Sequence, residues 1–303
     1  MNRNVPPLPH TVTLSYRQVS ANQLSFRVAM AGSGDRLVLC LHGFPENAIS
    51  WRYQIEPLAQ AGYRVWAPDL RGYGETTRPL GLTPYSIESL LHDVSGLLTA
   101  AGSSQTILVG HDWGGIIAWH YAMRYPERLN ALVILNAPHP ACFERELRHW
   151  RQLRRSWYMA MFQIPRLPEA VLSMGEGYMV GKIFERMAIH HERMPDNVVR
   201  HYRQQACVPG ALTAMLNYYR AALRGGGALR QRALGYPTIE IPTLVVWGLQ
   251  DHALGPHNLD ELPCFVRNLT TVTIADAGHF VHEDRPEQVT TQLVTWLQRI
   301  LRD

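Results

Sequence analysis

The chain has 303 residues, 46% of them hydrophobic, and 29 Lys plus Arg against 25 Asp plus Glu give a net charge of +4. That length and apolar fraction fit a single α/β domain with a large core and an insertion. The basic residues are nearly all arginine, Lys182 being the one lysine, and they are scattered, which argues against a nucleic-acid surface. No window approaches the roughly eighteen uninterrupted apolar residues of a membrane span, and the Pro-rich start from Met1 to His10 lacks an apolar core, so neither insertion nor export is expected and a cytoplasmic location is. Cys40, Cys142, Cys207 and Cys264 lack CxxC or CxxH spacing and read as reduced, mostly buried thiols.

In chain order, residues 11–31 hold two β-rich runs around Ser20-Ala-Asn-Gln23, the pattern of an antiparallel hairpin at a sheet edge. Strands and helices then alternate. Leu37 to Leu41 is followed by a helix near Trp51 to Ala61, Tyr63 to Ala67 by a helix from Ser86 to Ala100, and Thr106 to Val109 by a helix after Gly114-Gly115, before the apolar run Leu132 to Leu135. Such alternation predicts a parallel sheet with helices on both faces. From Ala137 to Tyr236 the pattern is helical, rich in Arg, Met and aromatics and punctuated by Pro165, Pro168, Pro195 and Pro209. Within it Glu144 to Arg155 reads as one amphipathic helix carrying Leu147, Trp150 and Leu153. The βα rhythm resumes with Thr243 to Trp247, Thr271 to Ile274 and a helix from Pro286 capped by Asp284. The expected organisation is therefore a core of residues 1–136 and 237–303 with a helical lid, residues 137–236, inserted in it.

Val109-Gly-His-Asp-Trp-Gly-Gly115 has the form of a nucleophile elbow with Asp112 where serine usually stands. A carboxylate suits displacement at saturated carbon, giving an alkyl ester that water must then cleave. The plainer alternative is an aspartate that only caps the next helix. Asp251 follows the strand ending at Trp247 and His279 the strand ending at Ile274, so nucleophile, acid and histidine come in that order on one sheet edge. Asp251 would fix the imidazole tautomer, leaving the other nitrogen to activate water. His42-Gly-Phe-Pro-Glu46 follows an apolar strand, and the backbone amides of Phe44 and Trp113 could converge on the esterified Asp112 as an oxyanion site.

With these motifs in order the chain resembles the epoxide hydrolase branch of the α/β-hydrolase superfamily over residues 11–301. The resemblance implies a mostly parallel eight-stranded sheet with an inserted cap, and no cofactor or metal. It assigns two lid tyrosines, in Trp157-Tyr158-Met-Ala-Met-Phe162 and Leu216-Asn-Tyr-Tyr219, to hold and protonate the epoxide oxygen, so Tyr158 and Tyr219 join the site while Tyr218 reads as packing. It also implies a cis Phe44-Pro45 bond. Phe44, Trp157, Met161 and Phe162 read as walls of an apolar tunnel for a small epoxide, with water as co-substrate, in a monomer or homodimer. Haloalkane-type dehalogenases share several of these motifs; they commonly offer asparagine where Phe44 stands, and the arginines of fluoroacetate dehalogenases are replaced here by Trp113 and Ile116. A small-ligand binder on the same fold would have lost a catalytic group, and none is missing.

Overall fold

The computed structural model describes residues 13–301. Its strands are β1 (Ser15–Ala21), β2 (Leu24–Ala31), β3 (Leu37–Leu41), β4 (Arg64–Pro68), β5 (Thr106–His111), β6 (Leu129–Leu135), β7 (Thr243–Gly248) and β8 (Leu269–Ile274). They form one sheet in the order β1-β2-β4-β3-β5-β6-β7-β8, in which β2 runs antiparallel to both its neighbours and the remaining pairs are parallel. The expected hairpin is β1–β2, turned by Asn22 and Gln23 with φ of 45° and 61°, the left-handed pair that a two-residue hairpin turn requires. Positions 11 and 12 of that expectation lie outside the described residues.

The central strands are apolar throughout because both sheet faces are covered. Leu37, Leu39, Leu41, Leu108, Leu132 and Ile134 point into one core cluster, and the alternate residues, such as Val38, Cys40, Val109 and Val133, point into the other. Helix α1 (Arg52–Gln60) lies on the second face, while α2 (Ile87–Ala100) and α3 (Trp113–Arg124) supply Leu90, Val94, Leu97, Ile117 and Trp119 to the first. Ser86 caps α2, its hydroxyl accepting from the Ser89 amide.

Between β6 and β7 the chain makes a helical excursion: α4 (Pro140–Glu146), α5 (Trp150–Arg155), α6 (Trp157–Met161), α7 (Leu167–Met187), α8 (Asp196–Ala206), α9 (Ala211–Arg224) and α10 (Gly227–Leu234). Residues Glu144 to Arg155 are not the single helix expected. The break falls at 147–149, and Trp150 and Leu153 are 66% and 53% exposed, so they are not the buried stripe. What turns inward is polar: Gln152 donates to the Ala253 carbonyl at 2.8 Å and accepts from the Gly255 amide at 3.2 Å, docking α5 on the loop after β7. Helix α7 is interrupted from Met174 to Gly177, where Gly175, Glu176 and Gly177 all have positive φ.

After β8 come α11 (Val281–Asp284) and α12 (Pro286–Ile300). The last helix begins as expected, but Asp284 does not cap it. Its carboxylate accepts instead from the amides of Ile189 and His190, each at 2.9 Å, and of Gly278 at 2.7 Å, joining the loop after β8 to the end of α7. All four cysteines are free; Cys40 and Cys142 are buried, whereas Cys207 and Cys264 are exposed, against the reading of mostly buried thiols. No helix among the described residues is long and apolar enough to cross a membrane.

Strand β3 and helix α3 approach so closely that a side chain cannot be added between them. A Cβ on Gly114 would lie 2.1 Å from the Leu41 carbonyl oxygen, a backbone atom with nowhere to move. Gly114→Ala should therefore destabilise the fold by about 1–3 kcal/mol or more, read as a lower denaturation midpoint at an unchanged m value.

Candidate active site

Asp112 sits on the turn between β5 and α3 with φ 47° and ψ −118°, a conformation L residues rarely adopt. The turn is sharp because Gly110 and Gly114 stack backbone on backbone, a Cβ on Gly110 falling 2.4 Å from the Gly114 carbonyl oxygen. The side chain makes no capping bond to α3, which removes the helix-cap reading. Instead Oδ1 accepts from the Phe44 amide at 2.8 Å, and Oδ2 lies 3.6 Å from His279 Nε2. Gly43 permits this approach, since a Cβ there would come within 2.4 Å of the Asp112 Cβ. The Phe44-Pro45 peptide is cis, as expected. The Trp113 amide stands at the head of α3 on the same turn and makes no bond to the Asp112 carboxylate.

His279, Asp251 and Asp112 come together as their chain order predicted. Asp251 Oδ2 lies 2.8 Å from His279 Nδ1 and also accepts from Asn136 Nδ2 at 2.8 Å, while Oδ1 takes the Ala253 and Leu254 amides at 2.7 and 2.9 Å. Burial works against the charge on Asp251, but the His279 ring and these donors outweigh it and lower its pKa. Burial likewise opposes a charge on His279, yet the Asp251 and Asp112 carboxylates on either side hold its pKa well above the ordinary histidine value.

Behind the triad is a buried polar hub whose parts the motifs contained but whose role they did not reveal. Glu46 Oε2 accepts from the Gly43 amide at 3.0 Å and lies 2.8 Å from His111 Nδ1, and His111 Nε2 lies 2.9 Å from the His279 carbonyl oxygen. The loop after β3, the end of β5 and the loop after β8 are thus joined through one carboxylate and one imidazole. Glu46, His111 and His282 bring three potential metal-ligating atoms within 4.8 Å of one another. Both His111 nitrogens already face protein oxygens, so the hub reads as a brace. Asn136, which orients Asp251 and accepts from the Gly248 amide at 2.9 Å, carried no sequence signal beyond its position after β6.

A cavity of about 190 Å³ opens over Asp112 and Trp113 and is walled by Tyr158, Tyr219 and mainly apolar side chains. The rings of Tyr158 and Tyr219 meet edge to face with centroids 6.0 Å apart. Burial first, and the Asp112 carboxylate second, raise both phenols above the ordinary tyrosine value, so both keep their protons. Their neighbour Tyr218 differs: its hydroxyl donates to the Arg71 carbonyl at 2.8 Å, the structural use expected of it. The wall residues read from sequence need correction. Trp157 is 58% exposed, and Met161, Phe162 and Phe44 do not line the cavity; Phe162 and Phe44 pack edge-on behind Tyr219, and Phe143, Leu147 and Met159 take the wall positions. The reason is helical phase, because α6 turns Tyr158 and Met159 inward and Trp157 out.

An aspartate on a nucleophile elbow, a histidine and an aspartate on successive strand ends, and a backbone amide aimed at the first carboxylate define an α/β-hydrolase. A family model described as alpha/beta hydrolase fold matches residues 36–286. YfhM of Bacillus subtilis (strain 168), an AB hydrolase superfamily protein, is 36% identical over 285 residues, spanning 92% of this chain and 96% of its own. Human epoxide hydrolase 4 is 35% identical over 301 residues, spanning 97% of this chain and 81% of its own. The crystal structure of Bacillus megaterium epoxide hydrolase in complex with an inhibitor superposes with a TM-score of 0.84 at 30% identity, over 93% of this chain and 99% of that one. The chain belongs to the α/β-hydrolase family and, within it, to the epoxide hydrolases.

Because Asp112 is one of the two carboxylates that hold the His279 proton, Asp112→Asn should lower the His279 pKa from its elevated value. Titration of the ring by NMR in both proteins reads this; an unchanged value would mean that Asp251 alone sets it.

Proposed function

We propose that this enzyme opens epoxides to vicinal diols through a covalent ester on Asp112. Two phenols without a hydrogen-bond acceptor among the described residues, those of Tyr158 and Tyr219, line the cavity that contains the Asp112 carboxylate, and this observation carries the reading. Opening an epoxide leaves an alkoxide, which needs a proton; a halide does not, so two phenols whose protons are not spent on a protein acceptor favour epoxides over haloalkanes. In this reading residues 137–236 act as the lid and supply both phenols.

The steps follow from the atoms in place. Asp112 Oδ2 attacks an epoxide carbon and the carbon–oxygen bond breaks, its electron pair going to the ring oxygen, which takes a proton from Tyr158 or Tyr219. Alkylation removes the Asp112 charge and with it one of the two fields that raise His279, so the imidazole releases its proton more readily in the ester than in the free enzyme. Neutral His279, oriented by Asp251, takes a proton from water as that water adds to the ester carbonyl carbon. The negative charge then forms on Oδ1, 2.8 Å from the Phe44 N–H in the free enzyme. The ester bond breaks with its electron pair on the substrate oxygen, which takes the proton from His279 to give the diol and the free carboxylate; the proton that the imidazole released on alkylation replaces the one lent by the phenol, and His279 regains its own from solvent.

Histidine serves only the second half-reaction, so His279→Gln should form the ester and fail to cleave it. Intact mass after incubation with styrene oxide should rise by one substrate, with the adduct on the peptide containing Asp112; no adduct, or turnover at the parent rate, would overturn the assignment. In parent enzyme used in excess in heavy-oxygen water, the first diol should carry ordinary oxygen drawn from Asp112. Tyr158→Phe and Tyr219→Phe should each slow ester formation, and the double variant should nearly abolish it, by more than either alone. Stopped-flow traces of the ester phase measure this, and a parent-like double variant would return both tyrosines to packing.

A further inference from the structure

The cavity does not end at the phenols. Trp113, Ile116 and His120 all line it, and their spacing of three and then four residues puts them on one stripe of α3. At a rise of about 1.5 Å per residue, His120 lies on the order of 10 Å further along the helix than Trp113. The wall between is apolar, whereas around His120 it becomes polar, with Gln231 and Glu144.

The hydrogen bonds there fix what His120 offers. Gln231 Nε2 donates to the Gly235 carbonyl at 2.7 Å, so its amide oxygen points the other way, where it accepts from Arg124 at 3.1 Å and lies 2.8 Å from His120 Nδ1. An oxygen opposite Nδ1 requires the proton on Nδ1. Burial first, and the Arg124 charge second, lower the His120 pKa to about 4, so the ring is neutral at pH 7. Nε2 is then a bare lone pair on the cavity wall, with no protein donor among the described residues. Of the nearby donors, the Gln231 amide is spent on Gly235 and Arg232 on Glu144 at 2.8 Å, while the Tyr236 hydroxyl, also on the cavity wall, and Arg124 Nε have no hydrogen-bond partner among the described residues. His120 Nε2 is therefore an acceptor on this wall that no protein group uses.

We infer that His120 Nε2 is a specificity determinant that accepts a hydrogen bond from a hydroxyl carried by the substrate, at the opposite end of an apolar body from the epoxide. This rests on the proposed function and deepens it by naming a substrate class: apolar epoxides with a distal alcohol. An alcohol supplies the donor that the His120 lone pair lacks, whereas a methyl group at the same place would leave that lone pair buried and unpaired.

Three 1,2-epoxyalkanes of equal chain length, ending in a hydroxyl, a methyl group or a carboxylate, test this with the parent enzyme, His120→Leu and His120→Phe. The parent's kcat/KM ratio of hydroxyl to methyl substrate should exceed that of either variant by about 5- to 10-fold, the value of one neutral hydrogen bond at the upper end of its range; the comparison of ratios cancels the cost of dehydrating the hydroxyl. Equal ratios overturn the inference. Should neither variant fold, the parent alone decides, because a carboxylate substrate preferred to the hydroxyl one means that donors on this wall, and not His120 Nε2, read the distal group. Calorimetric binding of the non-reactive 1-alkanol and its methyl-terminated analogue separates this from the function itself. If styrene oxide and all three epoxides are inert while the parent favours the alkanol relative to His120→Leu, the epoxide reading fails and the acceptor site stands; if epoxides turn over without that difference, the reverse holds.

Discussion

The tight crossing of β3, β5 and α3 is the constraint on which the rest depends. Gly114 presses on the Leu41 and His42 carbonyls, Gly110 on Gly114, and Gly115 on Ala137, so the turn after β5 has no room to relax outward. Asp112 is forced up at φ 47°, a conformation that costs on the order of 1–3 kcal/mol. The cost is met by the core beneath, where the apolar strands of the sheet centre are buried on both faces. Because the same crossing brings Gly43 against the Asp112 side chain, the carboxylate meets the Phe44 amide in the free enzyme, before any substrate binds. Preorganisation of this kind spares the enzyme from orienting a donor at the moment charge develops.

Charge around His279 follows from that placement. One imidazole stands between two carboxylates, and one of the two is consumed by the proposed first step. The ring therefore need not be set permanently for base catalysis: its basicity is lowered by the event that creates the need for a base. Such a device works only if the ring cannot swing away when Asp112 loses its charge. Asp251 holds Nδ1, Asn136 and two amides hold Asp251, and His111 holds the His279 carbonyl against Glu46.

The residues legible in the sequence are those marked by a strand end. Asp112, Asp251 and His279 each follow an apolar run that can only be a buried strand, so their meeting on one sheet edge is a consequence of parallel topology. Asn136 and Asp284 were not legible in these roles because their partners are 115 and 95 residues away, and a polar contact over such a distance leaves no periodic trace. Glu46 sat inside a quoted motif, but nothing in the motif says that its carboxylate meets His111. The excursion misled in a different way. Leu147, Trp150 and Leu153 have the spacing of one helical stripe, yet short helices docked by polar groups such as Gln152 need no continuous apolar face, and Trp150 and Leu153 remain in solvent while Leu147 reaches the cavity wall.

The two phenols show how adjacent residues come to different uses. Tyr218 and Tyr219 differ by about 100° around α9; one reaches the Arg71 carbonyl and is spent there, while the other turns its hydroxyl to the cavity. Tyr158 comes from α6, which is short and has no long apolar face to hold it. Arg220, next to Tyr219, provides the tie: its guanidinium donates to the carbonyls of Phe162 at 2.9 Å and Ile164 at 3.1 Å, just beyond α6, and pairs with Glu169 at 2.6 Å. The two phenols are thus fixed to each other through α9, α6 and the start of α7. Their position over Asp112 depends instead on how the excursion docks on the sheet. In the proposed mechanism ring opening draws groups from both bodies, whereas ester hydrolysis draws on Asp112, His279, Asp251 and Phe44, all anchored to strand ends. A displacement of the excursion would consequently act on the first half-reaction and leave the machinery of the second in place.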